Sequence, residues 1–317
     1  MIDIDIFCCP RCHSPLRLQD AQSIVCTNGD CPYGSGEGFP ILDGQPALVD
    51  FERSVIRRER LVAAHGGSEI SRERSGLFHL LRRLVKGEGK ITDRNAESFL
   101  DRLLADGGKS GAQPRVLVVG GGTVRSCARR LYDRLDIDLL SFDVYASPLT
   151  NFIGDGHHIA LPDASVDGVW IEAVLEHVLE PHVVVSEIHR VLKPGGLVYA
   201  ETPFMQQVHE GAYDFTRFTH SGHRWLFRRF EETDSGALGG VGTAMIWSTR
   251  HFWYGLTGSR RLGIILALPI FWLRFLDRFS RPGPALDAAS GYYSLGAGVK
   301  SLSSRIRSSP TIAAANS

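Results

Sequence analysis

Val116-Leu117-Val118-Val119-Gly120-Gly121-Gly122-Thr123 is the stretch on which the fold turns. Four aliphatic residues in a row suit a strand buried on both faces, as in a parallel sheet. The three glycines at its end let the backbone bend sharply and approach a ligand, because no Cβ stands in the way. A helix over residues 124–135 should follow and aim its N-terminal amides at whatever sits above the turn. A second strand, 137–142, then ends in Asp143, about 20 residues beyond the glycines. In a nucleotide-binding βαβ unit an acid at that place accepts hydrogen bonds from ribose hydroxyls.

The chain continues in the same style. Asn151-Phe152-Ile153-Gly154-Asp155-Gly156 suits a third strand edge, and Leu161-Pro162-Asp163-Ala164-Ser165-Val166-Asp167-Gly168-Val169-Trp170 leads into a fourth. Val174-Leu175-Glu176-His177-Val178 and then His189-Arg190-Val191-Leu192-Lys193-Pro194-Gly195-Gly196 complete the series. In this order and spacing the motifs resemble the class I S-adenosylmethionine-dependent methyltransferases, over about residues 114–230. That resemblance implies an α/β fold with a Rossmann-like, seven-stranded sheet and S-adenosylmethionine as cofactor. It assigns Gly120, Gly121 and Gly122 to the methionine and ribose side of the cofactor and Asp143 to the ribose. Asp155, with Gly156, is assigned to the adenine, and Glu172, at the mouth of strand 168–171, lies beside the transferable methyl. Two positions depart from the family pattern. Val118 stands where an acid is usual and Val124 where a glycine is usual, which leaves a non-catalytic adaptor among the readings.

Lysine plus arginine equals aspartate plus glutamate at 35 each, so global charge argues neither for nor against a nucleic-acid partner. The start, Met1-Ile2-Asp3-Ile4-Asp5-Ile6, is acidic and lacks the basic start and apolar core of a signal peptide. The expected compartment is the cytoplasm, where clustered cysteines more often bind metal than form disulfides. Five of the six cysteines precede residue 32. Cys9-Pro10-Arg11-Cys12 has the spacing at which a tight turn points two thiolates at one ion. Cys26 and Cys31 supply a second pair, with Cys8 as the spare. Four thiolates close a zinc coordination sphere, so the expected metal role is structural. Residues 39–49, Phe39-Pro40-Ile41-Leu42-Asp43-Gly44-Gln45-Pro46-Ala47-Leu48-Val49, resemble the ending of a small zinc-ribbon family that includes the activator subunit of tRNA and protein methyltransferases. The resemblance covers about residues 7–49 and implies a ribbon fused to the catalytic domain.

The expected domain plan is a zinc ribbon at 1–50, a basic helical connector at 51–112, the methyltransferase domain at 113–300 and a disordered tail at 301–317. Within the connector, Leu77-Phe78-x-Leu80-Leu81-x-x-Leu84-Val85 forms a helical apolar stripe with cations beside it. A helical, apolar insertion at about 241–281 delays the last strand, expected at 289–299. Its run Leu262 to Leu273 is about a dozen residues, too short for a bilayer that needs about 20. Arginines and tryptophans flank it, which suits a membrane interface. A lid over the acceptor pocket or a homodimer contact are the other readings.

Methyl transfer to a hydroxyl needs alignment and removal of a proton. His177, just after the fourth strand, and His209, in the loop after the fifth, are the candidate bases, since imidazole titrates near neutrality. Asp214, in the same loop, joins them in the candidate catalytic set. Quinone-biosynthesis O-methyltransferases, which the chain also resembles, add an upstream carboxylate to this Glu-His pair to hold a divalent ion. Here Ala173 takes that place, so no catalytic metal is expected. The favoured acceptor is a small molecule, a glycan or a lipid-linked compound, with peripheral contact at the inner face of a membrane. RNA methylation through ribbon and connector is the alternative, and neutral global charge makes a nucleic-acid partner the weaker expectation.

Overall fold

The computed structural model describes residues 3–67, 89–107, 113–123 and 129–298. The apolar stripe at 77–85, most of the connector's cations and the tail at 301–317 lie outside the described residues. Of the helix expected at 124–135, the described part is Arg129–Tyr132.

Seven strands form the centre: β5 (Arg115–Val119), β6 (Asp138–Asp143), β7 (Phe152–Gly154), β8 (Val166–Glu172), β9 (Leu192–Pro203), β10 (Phe230–Gly239) and β11 (Gly291–Gly298). Their order is β7-β6-β5-β8-β9-β11-β10; the first five run parallel, and β11 is antiparallel to both its neighbours. The strand order reverses at β5, so the ends of β5 and β8 border a crevice at the switch point, where ligands of open α/β sheets bind.

The period of two along β5 explains how it is buried. Val116 and Val118 face one layer with Phe99, Leu100 and Leu103 of the helix Lys90–Gly107, while Leu117 and Val119 face the other. That second layer holds Val184, Val185, Ile188 and Val191 of the helix Pro181–Val191, whose spacing makes one apolar helical face. Trp170 stacks on Tyr199 at 4.0 Å between ring centroids and meets Phe99 edge-on at 5.6 Å, which ties β8, β9 and the first helix together.

The expected count of seven strands is too low. Eleven are hydrogen-bonded in one order, because the N-terminal segment adds β1 (Leu16–Leu18), β2 (Ser23–Cys26), β3 (Phe39–Leu42) and β4 (Gln45–Leu48) to one edge. The join is β4 with β7, parallel, with Ala47 opposite Ile153 and Leu48 opposite Gly154. Phe7 lies edge-on to Phe152 at 5.1 Å, and Cys9, Ile24, Phe39 and Leu48 share a core with Leu117 and Phe142. Covering an open sheet edge in this way satisfies its backbone groups. Nothing in the local sequence of either segment reports a pairing across a hundred residues.

Between β10 and β11 lie two helices, Val241–Thr257 and Arg260–Ala267, then a 3₁₀ stretch, Leu268–Phe279, and a short helix, Pro282–Asp287. The α-helix gives way at Leu268 because Pro269 offers no backbone N–H and its ring crowds the preceding turn. No described helix is long and apolar enough to cross a membrane.

The helix His220–Leu226 is capped by Thr219, whose hydroxyl accepts from Gly222 N at 3.1 Å. Trp225 is 66 % exposed and carries the Arg228 guanidinium over its ring at 4.5 Å; Phe227 is the buried aromatic. His223 is fully buried, and neither ring nitrogen has a hydrogen-bond partner among the described residues. Burial, helped by the neighbouring His220, pushes it down to about 4. Between pH 4 and 6.5 the unfolded chain therefore binds a proton that the folded chain refuses, so stability rises with pH across that window. Wild-type protein should lose about 2–3 kcal/mol from this residue between pH 7 and pH 4.5. Urea unfolding at the two pH values should show a smaller difference for His223→Leu; an equal difference would mean that His223 ionises freely in the fold.

Candidate active site

The glycine turn is built against the end of β6. Gly120 N and Gly121 N both donate to Phe142 O at 3.0 Å. Gly120 has φ +79°, and a Cβ there would come within 2.3 Å of Val174 Cγ2, so only glycine fits. Asp143 closes the turn from the other side: its Oδ2 accepts from Gly122 N at 2.9 Å and its Oδ1 from Val144 N at 2.7 Å. A carboxylate oxygen can accept from more than one donor, as a ribose hydroxyl requires. The described turn and its acid thus fit the cofactor that the sequence implies. Val118 is buried in the layer with Phe99 and Trp170, so packing occupies the position usual for an acid. Val124 lies outside the described residues.

Asp155 follows β7 directly. Its carboxylate accepts from Ser54 Oγ, from His157 N at 2.9 Å and engages His157 Nδ1 at 2.6 Å. Burial opposes ionisation of this acid, but the bonds from His157 and Ser54 outweigh it and hold Asp155 below the usual carboxylate range. The same bond to Asp155 raises His157. Ser54 comes from the segment that follows β4, and no sequence signal marks it. Gly156 is buried against Val184. Glu172, half-buried at the end of β8, stands opposite Glu201 of β9, which accepts from the buried Tyr199 hydroxyl.

The loop after β9 brings the candidate bases together. Phe215 N donates to Glu176 O at 2.8 Å, which folds the loop back over the end of β8. His209 Nε2 then lies 3.9 Å from Glu176 Oε1, and His177 Nε2 lies 3.6 Å from the same oxygen. The two imidazole rings are 5.2 Å apart, edge to face. His177 Nδ1 donates to Tyr213 O at 2.6 Å, which leaves Nε2 as the nitrogen turned toward Glu176. Glu176 is fully buried, only two residues after Val174, which packs on Gly120. Among the described residues Glu176, His177 and His209 place one donor atom each within 4.8 Å of one another. Such a set suits either a shared proton or a divalent ion. The sequence gives no reason to expect a catalytic ion, because Ala173 stands where the upstream carboxylate is usual; here the third group is His209, which the loop brings in.

Burial drives His209 down to about 4, against the raising effect of Asp214. Asp214 itself is held down at about 2: burial opposes this, but Arg217 and His209 N hydrogen-bond the ionised form. Arg217 grips both oxygens of Asp214, and Asp214 Oδ2 lies 3.4 Å from His209 Nδ1. So firmly ionised an acid is a poor proton acceptor and a good positioning group. Trp247, from the insertion, faces His209 at 6.3 Å between rings. Arg217 and Trp247 carried no assigned role in the sequence, and only the folded loop reveals their proximity.

At the other end of the chain, Cys9 Sγ lies 3.8 Å from Cys31 Sγ and Cys12 Sγ 3.4 Å from Cys26 Sγ, with all four sulfurs within 4.8 Å of one another. Tetrahedral zinc with Zn–S near 2.3 Å separates its sulfurs by about 3.8 Å, so the donor set fits that ion. Arg11, inside the first pair, binds the fully buried Asp50 at 3.1 Å and Glu52 at 3.0 Å, and Tyr33 Oη donates to Asp50 at 3.1 Å. This latch holds the knuckle on the chain segment that continues to Ser54.

No curated protein matches the sequence. Several solved structures are similar at low identity. One is an S-adenosylmethionine-dependent methyltransferase from Archaeoglobus fulgidus, 14 % identical, over 70 % of this chain and 100 % of that one, with a TM-score of 0.43. Another is the 1,6-didemethyltoxoflavin-N1-methyltransferase of Burkholderia thailandensis, 14 % identical over 90 % and 99 %, with a TM-score of 0.39. A third is phosphoethanolamine N-methyltransferase 2 of Haemonchus contortus in complex with S-adenosyl-L-methionine, 13 % identical over 70 % and 56 %, with a TM-score of 0.43. Residues 120–200, from the glycine turn to the middle of β9, match the family model described as a methyltransferase domain. Over residues 120–200 the chain thus matches a methyltransferase domain, and its mixed sheet gives it a methyltransferase-like α/β fold.

Proposed function

We propose that this protein transfers a methyl group from S-adenosylmethionine to a hydroxyl of a small-molecule, glycan or lipid-linked acceptor. One observation carries the reading: a half-buried imidazole, His209, set between the carboxylates of Glu176 and Asp214. Gly120, Gly121, Gly122 and Asp143 would hold the cofactor, with Glu172 at the mouth of β8 facing its methionine end. When bound, the cofactor supplies an electrophilic methyl. The chain's own task is to align the acceptor and take its proton. His209 enters with a vacant lone pair because burial keeps it neutral. Asp214 and Glu176 on either side stabilise the imidazolium that forms, and Arg217 keeps Asp214 ionised and in place. His177, fixed by Tyr213 O, is the second imidazole of the relay.

A ribbon reading RNA has less support, because Arg11, the cation within its knuckle, is engaged by Asp50 and Glu52. Calorimetry tests the cofactor half of the proposal. Wild-type protein should bind S-adenosylmethionine, and Asp143→Ala should weaken it by about 1.5–3 kcal/mol, the scale for hydrogen bonds to a charged group. Unchanged affinity would move the ribose contact elsewhere. No binding by wild-type protein would leave a methyltransferase-like adaptor. The acceptor is then sought as the unmethylated species that accumulates in a deletion strain.

A further inference from the structure

We propose that the insertion between β10 and β11 docks the protein on the surface of an anionic lipid bilayer. The insertion folds around a small core of its own: Ile246, Ile264 and Ala267 are buried together, with Leu268, Ile270 and Leu273 packed against them. Gly263 lets its two helices cross closely, since a Cβ there would meet Arg250 O at 2.6 Å. Having satisfied this core, the insertion still presents large apolar side chains outward. Phe252 and Leu256 do so on the first helix, Ile265 on the second, and Trp272 and Phe275 along the 3₁₀ stretch, where a period of three keeps them to one side, with Phe279 exposed at its end. Leu256 and Phe279 are 66 % and 68 % exposed. Large apolar side chains left exposed in this number on one folded unit point to an interaction site.

Charge selects the partner. Residues 241–281 contain six arginines, no lysine and one acid, Asp277, although the whole chain is neutral. Asp277 is turned inward: its carboxylate accepts from Gly240 N at 3.0 Å, Gly242 N at 2.7 Å and Thr243 Oγ1 at 2.6 Å, capping the first helix. The exposed charge of the insertion is therefore positive. Arg274 and Arg278 lie over the rings of Phe275 and Phe279 at 5.0 and 4.5 Å, so cation and apolar surface alternate along one edge. A symmetric pairing of two copies through this face would set arginines against arginines. A nucleic acid would leave the aromatic and aliphatic side chains against water. An anionic bilayer takes both, with rings at the acyl boundary and guanidinium groups among the headgroups.

The inner side of the same unit walls the candidate active site. Trp247 faces His209, and Gln207 Nε2 donates to Ser248 Oγ at 3.2 Å. Docking therefore brings the acceptor loop to the lipid surface. If the methyl-transfer reading holds, it points to an acceptor that resides in or on the membrane; the docking itself does not depend on that reading.

Co-sedimentation of the full chain with vesicles decides the matter. With phosphatidylcholine–phosphatidylglycerol vesicles at low salt the protein should pellet, and with phosphatidylcholine alone it should remain largely in solution. Raising salt should release it. Arg274→Gln with Arg278→Gln should weaken binding about thirtyfold, near 1 kcal/mol per cation converted to a ratio. Ile265→Asp with Trp272→Ala should nearly abolish it. Unchanged thermal unfolding and S-adenosylmethionine affinity in both variants keep the result attached to the surface and not to folding. Wild-type protein that stays in the supernatant with anionic vesicles at low salt would overturn the proposal. So would binding that is indifferent to both variants.

Discussion

Cys9→Ser and Cys31→Ser should each empty the ribbon of metal and markedly destabilise the whole protein. Freshly reduced wild-type protein should carry about one zinc per chain by the four-thiolate rule. A ligand set of this kind contributes on the order of 10–16 kcal/mol in small zinc peptides, comparable with the whole stability of an ordinary domain, about 5–15 kcal/mol. The ribbon has few other means of staying folded. Its four strands are three or four residues long, and strands so short do not persist alone. The loss should not stay local. β4 pairs with β7, and Phe7 and Phe39 are part of the core beneath the central sheet. Melting the ribbon exposes the β7 edge and removes Ser54 from Asp155. Metal analysis and thermal unfolding measure both consequences. Metal-free protein with the wild-type melting profile would show that the four cysteines are a packed cluster with no ion.

His209→Ala should lower the rate of methyl transfer by about 10²–10⁴, the range for removing a positioned general base. Affinity for S-adenosylmethionine should stay near the wild-type value, because the glycine turn and Asp143 are untouched. Asp214→Asn should cost less, since it removes the stabilising charge but leaves the imidazole. The pH profile carries a sign of its own. With His209 held at about 4, the base stays unprotonated at neutrality. The rate should then be level from pH 6 to 8 and fall only as acid approaches that value. A fall centred near 6.5, the ordinary histidine range, would place proton acceptance on a solvated imidazole. Chelation gives an independent check. If a chelator stops turnover while zinc stays in the ribbon, and added divalent ion restores it, then Glu176, His177 and His209 serve as metal ligands. The base assignment would then be withdrawn.

Much of the central fold could be read from the residues. Four aliphatics before three glycines can only be buried on both faces, and that fixes β5 at the middle of a parallel sheet. Asp143 lies one strand later, where topology returns the chain to the same end of the sheet. The reach of β9 to Pro203 and the outward side of Trp225 are boundary and orientation choices that local pattern leaves open. The cysteine pairs were legible because metal chemistry prescribes their spacing.

The sequence by itself determined the local features: the glycine turn, its acid, the two cysteine pairs, and an apolar, arginine-flanked insertion too short to span a bilayer. Each depends on residues near one another in the chain, or on a donor set with fixed chemistry. Tertiary structure alone decided the rest. It made the N-terminal segment an edge of the main sheet, through backbone bonds between residues 47–48 and 153–154 that no side-chain pattern records. It engaged Asp155 with Ser54, 101 residues away. It folded the loop after β9 so that His209, His177 and Glu176 meet, because that meeting depends on Phe215 N finding Glu176 O and on Arg217 fixing Asp214. It turned Asp277 inward, leaving the insertion's arginines to define its outer face. Hydrogen bonds and charge act through space, and only the folded chain sets those distances.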